Sequence, residues 1–508
     1  MEKNTMQLGV DLAAEGKKGV SRRGFVGGMG AMMAAAALAA AGCTSDGGDS
    51  GSTAGSAAAD ADDDGSSIKV ESTTGWTGTP ADVLALGVST MPLEDLNNYR
   101  QAYLDAQTEY TMEDGTVVPL PYVQMRALVH TYGQGCGNTP LDTSFYAIMQ
   151  CFTEDEAQAF VDMPWGVEFT AFEMAQKTGR TVDECTEICE HCAEEGYLCA
   201  FNNNRGRGYH QVPYFQGVIE YQMTKVVESD YTSVDAATIV GDEIYSEDWG
   251  GAGTPVFYYV PCDYSVTEDG TIHTYDDIRE KVLHANKLAI CPCACRYTAL
   301  AAAVGHENMP SFEDFMTGEY EDYMSPICDQ RVETCIMVGD EAEFWLERGW
   351  GREITGEQAA AYIDRSVEDG FCMESTFGKN SETICSCHID SCNILNGWFA
   401  LGADEMAARS GFNQISHYML EVDQDKCIAC GTCVERCPLQ IISINDDGWA
   451  EPGVNCVRCG QCAYVCPQSA RTLVLRDEDT LAPLPQGMVE DMNLKAAWRF
   501  ENGLIKVV

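Results

Sequence analysis

The chain has 508 residues, 45% hydrophobic and 22% charged, which suits a folded protein of several domains and excludes wholesale disorder. Against 79 Asp and Glu stand 31 Lys and Arg, and the formal net charge of -48 repels phosphate backbones and anionic lipid alike, so nucleic acid is excluded as a partner. The acidity fits solubility outside a cell or an acidic docking face for a basic redox partner, while the 25 cysteines fit a disulfide scaffold, metal ligands or small buried hydrophobes, which only spacing can separate.

The stretch "SRRGFVGGMGAMMAAAALAAAGC" runs from Ser21 to Cys43. Arg22 and Arg23 precede an uncharged apolar run from Phe25 to Ala41, too short and too rich in Gly and Ala for a membrane span. It resembles a twin-arginine export signal. Its end, "AAGC", resembles a bacterial lipoprotein cleavage site, which implies that Cys43 is lipidated and becomes the new N-terminus on the outer face of the cytoplasmic membrane. Ala40 departs from that pattern, which carries a larger aliphatic residue there, so simple cleavage and an uncleaved anchor stay open. The twin-arginine resemblance implies export of a folded chain with its cofactors already inserted. Thiols would then hold metal before meeting an oxidising compartment. Residues 1–43 are read as the signal, and residues 44–78, beginning "TSDGGDSGSTAGSAAADADDDGSS", as a flexible tether without apolar periodicity.

Residues 79–150 are assigned as helical covering structure. Within them "GQGCGN" (Gly133 to Asn138) is glycine-rich but lacks a convincing preceding strand and the full dinucleotide spacing. Residues 151–225 are predicted as helix, turn, helix, helix and hairpin. Thr153 caps "TEDEAQAFVDM", "EFTAFEMAQKTG" follows, a second Thr opens "TVDECTEICEHCAEEGYL", and "CAFNNNRGRGYHQVP" supplies a wing. The order resembles a winged-helix domain. Such folds commonly read DNA, yet the helix that would enter the groove carries Asp183, Glu184, Glu187, Glu190, Glu194 and Glu195, with Asp162 and Glu173 on the preceding helices. A structural or docking role is expected instead. Cys185, Cys189 and Cys192 recur on one helix face and are read as small buried hydrophobes, with a cluster completed by Cys199 as the alternative.

Residues 226–420 form a cysteine-rich region. "GTPVFYYVPCDYSV" is strand-like, and "TYDDIREKVLHANKLAICPC" is predicted as a helix that delivers the first central cysteines. "LAICPCACR" contributes Cys291, Cys293 and Cys295, "PICDQRVETC" contributes Cys328 and Cys335, and "TICSCHIDSC" contributes Cys385, Cys387 and Cys392. Neighbours spaced C-x-C do not easily form a disulfide, and structural zinc usually prefers two intervening residues. The arrangement resembles a poorly characterised group of ferredoxin-domain proteins, in which C-x-C-R, C-D-x-P-x-E-x-C and a C-x-C cluster precede two ferredoxin runs, often after a winged-helix domain. Cys328, Asp329, Glu333 and Cys335 fit that pattern, while Arg331 stands where it carries proline. These residues are read as an additional metal site, a third iron–sulfur cluster, with Cys293, Cys295, Cys328 and Cys335 as the first choice of ligands. Disulfides, a catalytic dithiol and another metal stay open. Arg296 is expected in a surface ion pair, with donation to cluster sulfurs or an anionic ligand as the alternative, and His388 in a structural hydrogen bond, with metal ligation or proton transfer as the alternative. No C-x-x-C-H motif for covalent haem occurs.

Near the end come "CIACGTCVERCP", Cys427 to Pro438, and "CVRCGQCAYVCP", Cys456 to Pro467. In each, three cysteines are spaced by two residues and a fourth follows three later, before proline, which resembles the run of two-cluster bacterial ferredoxins. The resemblance covers residues 421–475 and implies two [4Fe-4S] clusters. By it, the first takes Cys427, Cys430, Cys433 and Cys466, and the second takes Cys456, Cys459, Cys462 and Cys437. "LQIISINDDGWAEPG" is predicted as strand, turn and return, with "RTLVLR" as a partner strand. Residues 476–508 are a C-terminal extension.

The expected fold is α+β and multidomain, with a winged-helix-like α/β domain, a cysteine-rich central domain and a C-terminal ferredoxin-like domain. The expected function is that of an exported electron-transfer protein, passing single electrons through the clusters to or from a reductase or membrane donor, with a lipid anchor on the membrane. Two alternatives stand beside it. One is an iron–sulfur reductase with its own substrate site in the central region, since reductive dehalogenases share a twin-arginine signal with terminal ferredoxin motifs. The other is a redox sensor that engages a protein partner. No catalytic residue is assigned.

Overall fold

The computed structural model describes residues 86–506, apart from 134, 139, 141, 215–216, 225–252, 305–307, 309, 317–323, 326–330 and 401–412. The signal, Cys43, the tether and Cys328 lie outside the described residues. Helix and strand are mixed throughout, and no helix among the described residues is long and apolar enough to cross a membrane.

Helices α1 (Leu93–Asp105), α2 (Leu120–His130) and α3 (Asp142–Cys151) open the described chain, with a small hairpin of β1 (Tyr110–Thr111) and β2 (Val117–Val118) between the first two, so the covering segment is not wholly helical. The glycine-rich loop after α2 is held by buried arginines: Arg126 donates to the carbonyls of Cys136 and Gly137, and Arg499 to those of His130 and Gly133. A side chain at Gly135 would meet the His130 carbonyl at 2.1 Å. The loop's carbonyls thus serve packing.

Helices α4 (Glu154–Asp162), α5 (Ala171–Thr178) and α6 (Val182–Glu194) each begin with a capping box, Thr153 with Glu156, Thr170 with Glu173 and Thr181 with Glu184, which satisfies the first free amides. The hairpin β3 (Leu198–Asn203) and β4 (Gly206–Gln211) follows, and Phe169 bridges to Tyr209. Its arginines are spent on carboxylates. Arg207 pairs with Glu190 and Glu347, both at 2.8 Å, and Arg205 with Glu173 at 3.3 Å. The Cys185, Cys189, Cys192 and Cys199 side chains are all buried in the apolar core beside Ile188 and Ala193. Helix α7 (Val218–Thr224) leads onward.

The central region is a six-stranded antiparallel sheet in the order β5-β9-β10-β7-β6-β8. Its strands are β5 (Phe257–Val260), β6 (Leu288–Pro292), β7 (Glu333–Val338), β8 (Arg352–Glu353), β9 (Cys372–Thr376) and β10 (Thr383–Cys387). Helix α8 (Ile278–His284) ends before β6, so the first central cysteines arrive on a strand and not on a helix. A short apolar run such as "KLAIC" has no period of its own, and the sheet decides it. Helices α9 (Ala294–Val304), α10 (Phe312–Met316), α11 (Asp340–Glu347), α12 (Gly356–Asp369) and α13 (Asn393–Ala400) complete the region.

Side chains alternate across each strand, and here the alternation separates two chemistries. One face carries Tyr258, Val260, Ile290, Ile336, Met373 and Ile384, packed on Ile278 and Val282 of α8 and Ile363 and Val367 of α12. The opposite face carries Tyr259, Cys291, Cys335, Cys372, Cys385, Cys387 and Glu374. Register aligns them: Cys291 lies opposite Cys335, Cys372 opposite Cys387 and Glu374 opposite Cys385.

In the C-terminal region β11 (Tyr418–Val422) pairs antiparallel with β14 (Arg471–Leu475), and β12 (Ile442–Ile444) with β13 (Ala450–Pro452). The predicted strand "RTLVLR" therefore forms, but its partner is Tyr418–Val422 and not the hairpin. Helices α14 (Thr432–Arg436) and α15 (Gln461–Tyr464) follow Gly431 and Gly460, both left-handed. Helix α16 (Met488–Glu501) returns to pack on α1, where Arg100 donates to Asn493 at 3.1 Å.

Candidate metal centres

Among the described residues, the non-glycine residues with positive φ are Ala429 (53°), Gln440 (57°), Arg458 (63°) and Ser469 (47°). They fall at matching positions of the two C-terminal runs: one inside each first C-x-x-C, one three residues past each fourth cysteine. Strain of this kind persists where surrounding structure requires it, and alternating helical hands turn successive amides inward around an anion. The sulfurs receive donors accordingly. Ala450 N–H reaches Cys427 Sγ at 3.4 Å, Ala470 N–H reaches Cys466 Sγ at 3.3 Å, and an Arg471 Nη lies 3.7 Å from Cys462 Sγ. The Thr432 hydroxyl, 3.4 Å from Cys430 Sγ, lowers that exposed thiol's pKa.

The runs do not stand alone. Burial pushes the Cys462 thiol up to about 12; Arg471 opposes this, and the nearby Cys456 and Cys437 add to it. Cys437, the last cysteine of the first run, thus sits with the second run, the crosswise placement a two-cluster ferredoxin uses. Four soft thiolates, inward amides and a buried cation suit a cubane cluster in donor chemistry.

Comparison with known proteins agrees with this geometry. Residues 420–443 match the family model for the 4Fe-4S binding domain. The C-terminal region contains a 4Fe-4S ferredoxin domain. Over 30 residues the chain is 53% identical to "Probable ferredoxin" of Methanosarcina thermophila, a match covering 6% of this chain and 52% of that protein. The chain thus spans about half the length of the curated relative it matches. No solved structure matches the chain. The ferredoxin domain equips the protein for iron–sulfur electron transfer.

The central sheet gathers a second set of sulfurs. Six of them line one cavity, with Cys293 beside Cys295 and Cys335, Cys335 beside Cys385, Cys385 beside Cys387, Cys387 beside Cys392, and Cys392 beside Cys295. The circuit closes. Cys295 and Cys335 donate to Cys293 and hold its thiol well below the ordinary range, with Arg296 helping, while the other five are pushed well above it. Cys293 and Cys295 lie at the start of α9, and Cys392 precedes α13, where Leu395 N–H approaches its sulfur at 3.5 Å.

Of the four residues first chosen as central ligands, the structure brings together Cys293, Cys295 and Cys335; Cys328 lies outside the described residues. Arg296 is not in a surface ion pair. It is 1% exposed, donates to Thr334 Oγ1 at 2.7 Å and the Ser386 carbonyl at 2.8 Å, and lies 4.3 Å from the centre of the Phe371 ring. The sulfur face supplies its reason: an anionic site attracts a buried cation. His388 pairs with Asp390 at 3.2 Å. Sequence reasoning missed Cys372 and Glu374, whose two-residue spacing on one strand was the available signal.

The two sulfur sets adjoin. Ile389 N–H donates to the Pro438 carbonyl at 3.1 Å, and Cys262 N–H to the Cys459 carbonyl at 3.1 Å. Gln461 donates to the carbonyls of Val367 and Phe371. Cys372 lies within electrostatic reach of both Cys392 and Cys437. At the other end Cys430 is exposed and Ile428 is 61% exposed.

Proposed function

We propose that the chain is an exported electron-transfer protein that passes single electrons between a redox partner and a central sulfur site, using two [4Fe-4S] clusters on Cys427, Cys430, Cys433, Cys466 and on Cys456, Cys459, Cys462, Cys437. The observation that carries this is the gradient of exposure along the sulfurs. Cys430 and Ile428 form a solvent-facing end where a partner can approach, while Cys459, Cys437 and Cys372 lead inward to Cys392. When bound, a cubane supplies reversible one-electron chemistry, with a potential set by burial, charge and hydrogen bonds to sulfur. The chain's own residues provide those settings: Arg471 near Cys462, Thr432 near Cys430, and amides on Cys427 and Cys466.

In this reading the twin-arginine segment exports the loaded chain, Cys43 anchors it to the outer face of the cytoplasmic membrane, and residues 44–78 tether it. The central cysteines form an additional iron–sulfur site. The three helices and hairpin of 154–211 are a winged-helix-like docking module, because Arg205 and Arg207 are occupied by carboxylates and its third helix is acidic.

The test is anaerobic purification of the full chain with iron and sulfide counting, a visible spectrum and cofactor extraction. Iron of about eight or more, absorbance typical of cubanes and no organic cofactor are expected. Cys462→Ser should remove about four of those irons. A colourless, iron-free chain with the terminal thiols paired as disulfides overturns the proposal, and bound flavin or corrinoid supports a reductase instead.

A further inference from the structure

A cubane offers four irons, and each takes one protein ligand. The central circuit offers six thiols. All six, Cys293, Cys295, Cys392, Cys387, Cys385 and Cys335, line one cavity, and each has two of the others beside it, so no set of four stands apart. Membership is nonetheless selective. Cys291 and Cys372 occupy the same sheet face, but their thiols are turned to main-chain carbonyls, of Cys335 at 3.5 Å and of Cys387 at 3.2 Å.

A second observation is independent of the sulfurs. Glu374 is 0% exposed, and the donors its carboxylate faces, the Cys387 thiol and the Tyr259 hydroxyl, are not placed for well-formed hydrogen bonds. One of them lies with the sulfurs of Cys387 and Cys392 in a group whose atoms are all within 4.8 Å of one another. A buried carboxylate so poorly partnered is costly unless it meets a cation or a metal. The Arg296 guanidinium is engaged with Thr334 and Ser386, which leaves the carboxylate aimed at the thiol circuit.

We propose that these six cysteines and Glu374 hold one polynuclear iron–sulfur cluster of more than four irons, with six thiolate ligands and one carboxylate oxygen. The proposal rests on the reading of the chain as an iron–sulfur electron-transfer protein. Iron is the metal because the same chain carries a ferredoxin domain and is loaded alongside it. The carboxylate gives one iron a hard donor that the ferredoxin runs lack, and so a distinct iron subsite.

The experiment uses the full-length protein purified without oxygen. Total iron above about twelve is expected, since two cubanes account for about eight and a third would end at about twelve. Replacing each of the six cysteines singly by alanine is expected to drop the iron to about eight every time. The reduced-state EPR signal of the ferredoxin clusters, measured in the same samples, reports that each variant has folded. A wild-type total of about twelve, with two of the six variants keeping full iron, is a lone cubane and overturns the proposal. So does zinc, copper or disulfide at the circuit. Absence of the ferredoxin signal from the wild type instead overturns the electron-transfer reading. Glu374→Gln should keep its iron but change the Mössbauer doublet of one subsite, and an unchanged spectrum removes the carboxylate from the ligand set.

Discussion

In the ferredoxin region Cys427, Cys430 and Cys433 come from one loop and the helix turn that follows it, where Ala429 and Gly431 both take positive φ. In the central region the neighbours come from three separate segments, Cys293 just past β6 and Cys335 and Cys385 within β7 and β10, and hydrogen-bond register brings them together. The first arrangement is local and spends backbone strain. The second is non-local and spends sheet order, so a defect in register should erase it while leaving the loops intact.

The sharpest way to break that contrast is Ser386→Pro. Ser386 sits in β10, an inner strand paired on both sides, between two circuit cysteines, and its carbonyl receives Arg296. Proline has no N–H to offer a ladder and is confined to edge strands and bulges, so it should disrupt this inner strand. We expect the central iron to be lost and the ferredoxin EPR signal to persist. Simultaneous loss of both signals would show that the two sets fold as one unit.

The same difference explains what the sequence could disclose. A loop motif is written in consecutive letters, so the ferredoxin runs, their glycines and the strand and turn of "LQIISINDDGWAEPG" were legible. The C-x-C pairs pointed to a metal site, but no local pattern says that they sit on strands, that β10 lies between β9 and β7, or which residue faces which. Glu374 went unnoticed because its burial is set by that sheet. Arg296 was misread for the same reason. The helix caps at Thr153 and Thr181 were easier, since a capping box closes within four residues.

A pH difference sharpens the comparison at the other end of β10. Glu382, just before that strand, accepts from Met488 N–H and ties the sheet to α16, and burial raises its pKa to about 7. The folded state therefore keeps the proton at pH values where the unfolded chain has released it. Stability should fall as pH rises from about 4.5 to about 7, and the penalty is fully present above that window. Glu382→Gln removes the slope, and we expect the variant to gain about 2 kcal/mol at pH 8 and nothing at pH 4.5. Thermal midpoints at the two pH values check this, and equal shifts at both would refute it.

The smallest expected effect concerns cysteines that belong to neither sulfur set. Cys189 is fully buried on α6, and its thiol points to Met174 Sδ at 3.5 Å, the neighbourhood of a small hydrophobe. Burial pushes that thiol's pKa up, which disfavours the thiolate a metal needs. Cys189→Ala deletes one sulfur from a packed core, so a loss of about 1 kcal/mol is expected, with iron content and EPR unchanged. If the iron count instead fell by about four, the helix stripe would be a ligand set, and spacing at i, i+4 and i+7 would join loop and register as a third way for this chain to gather sulfur.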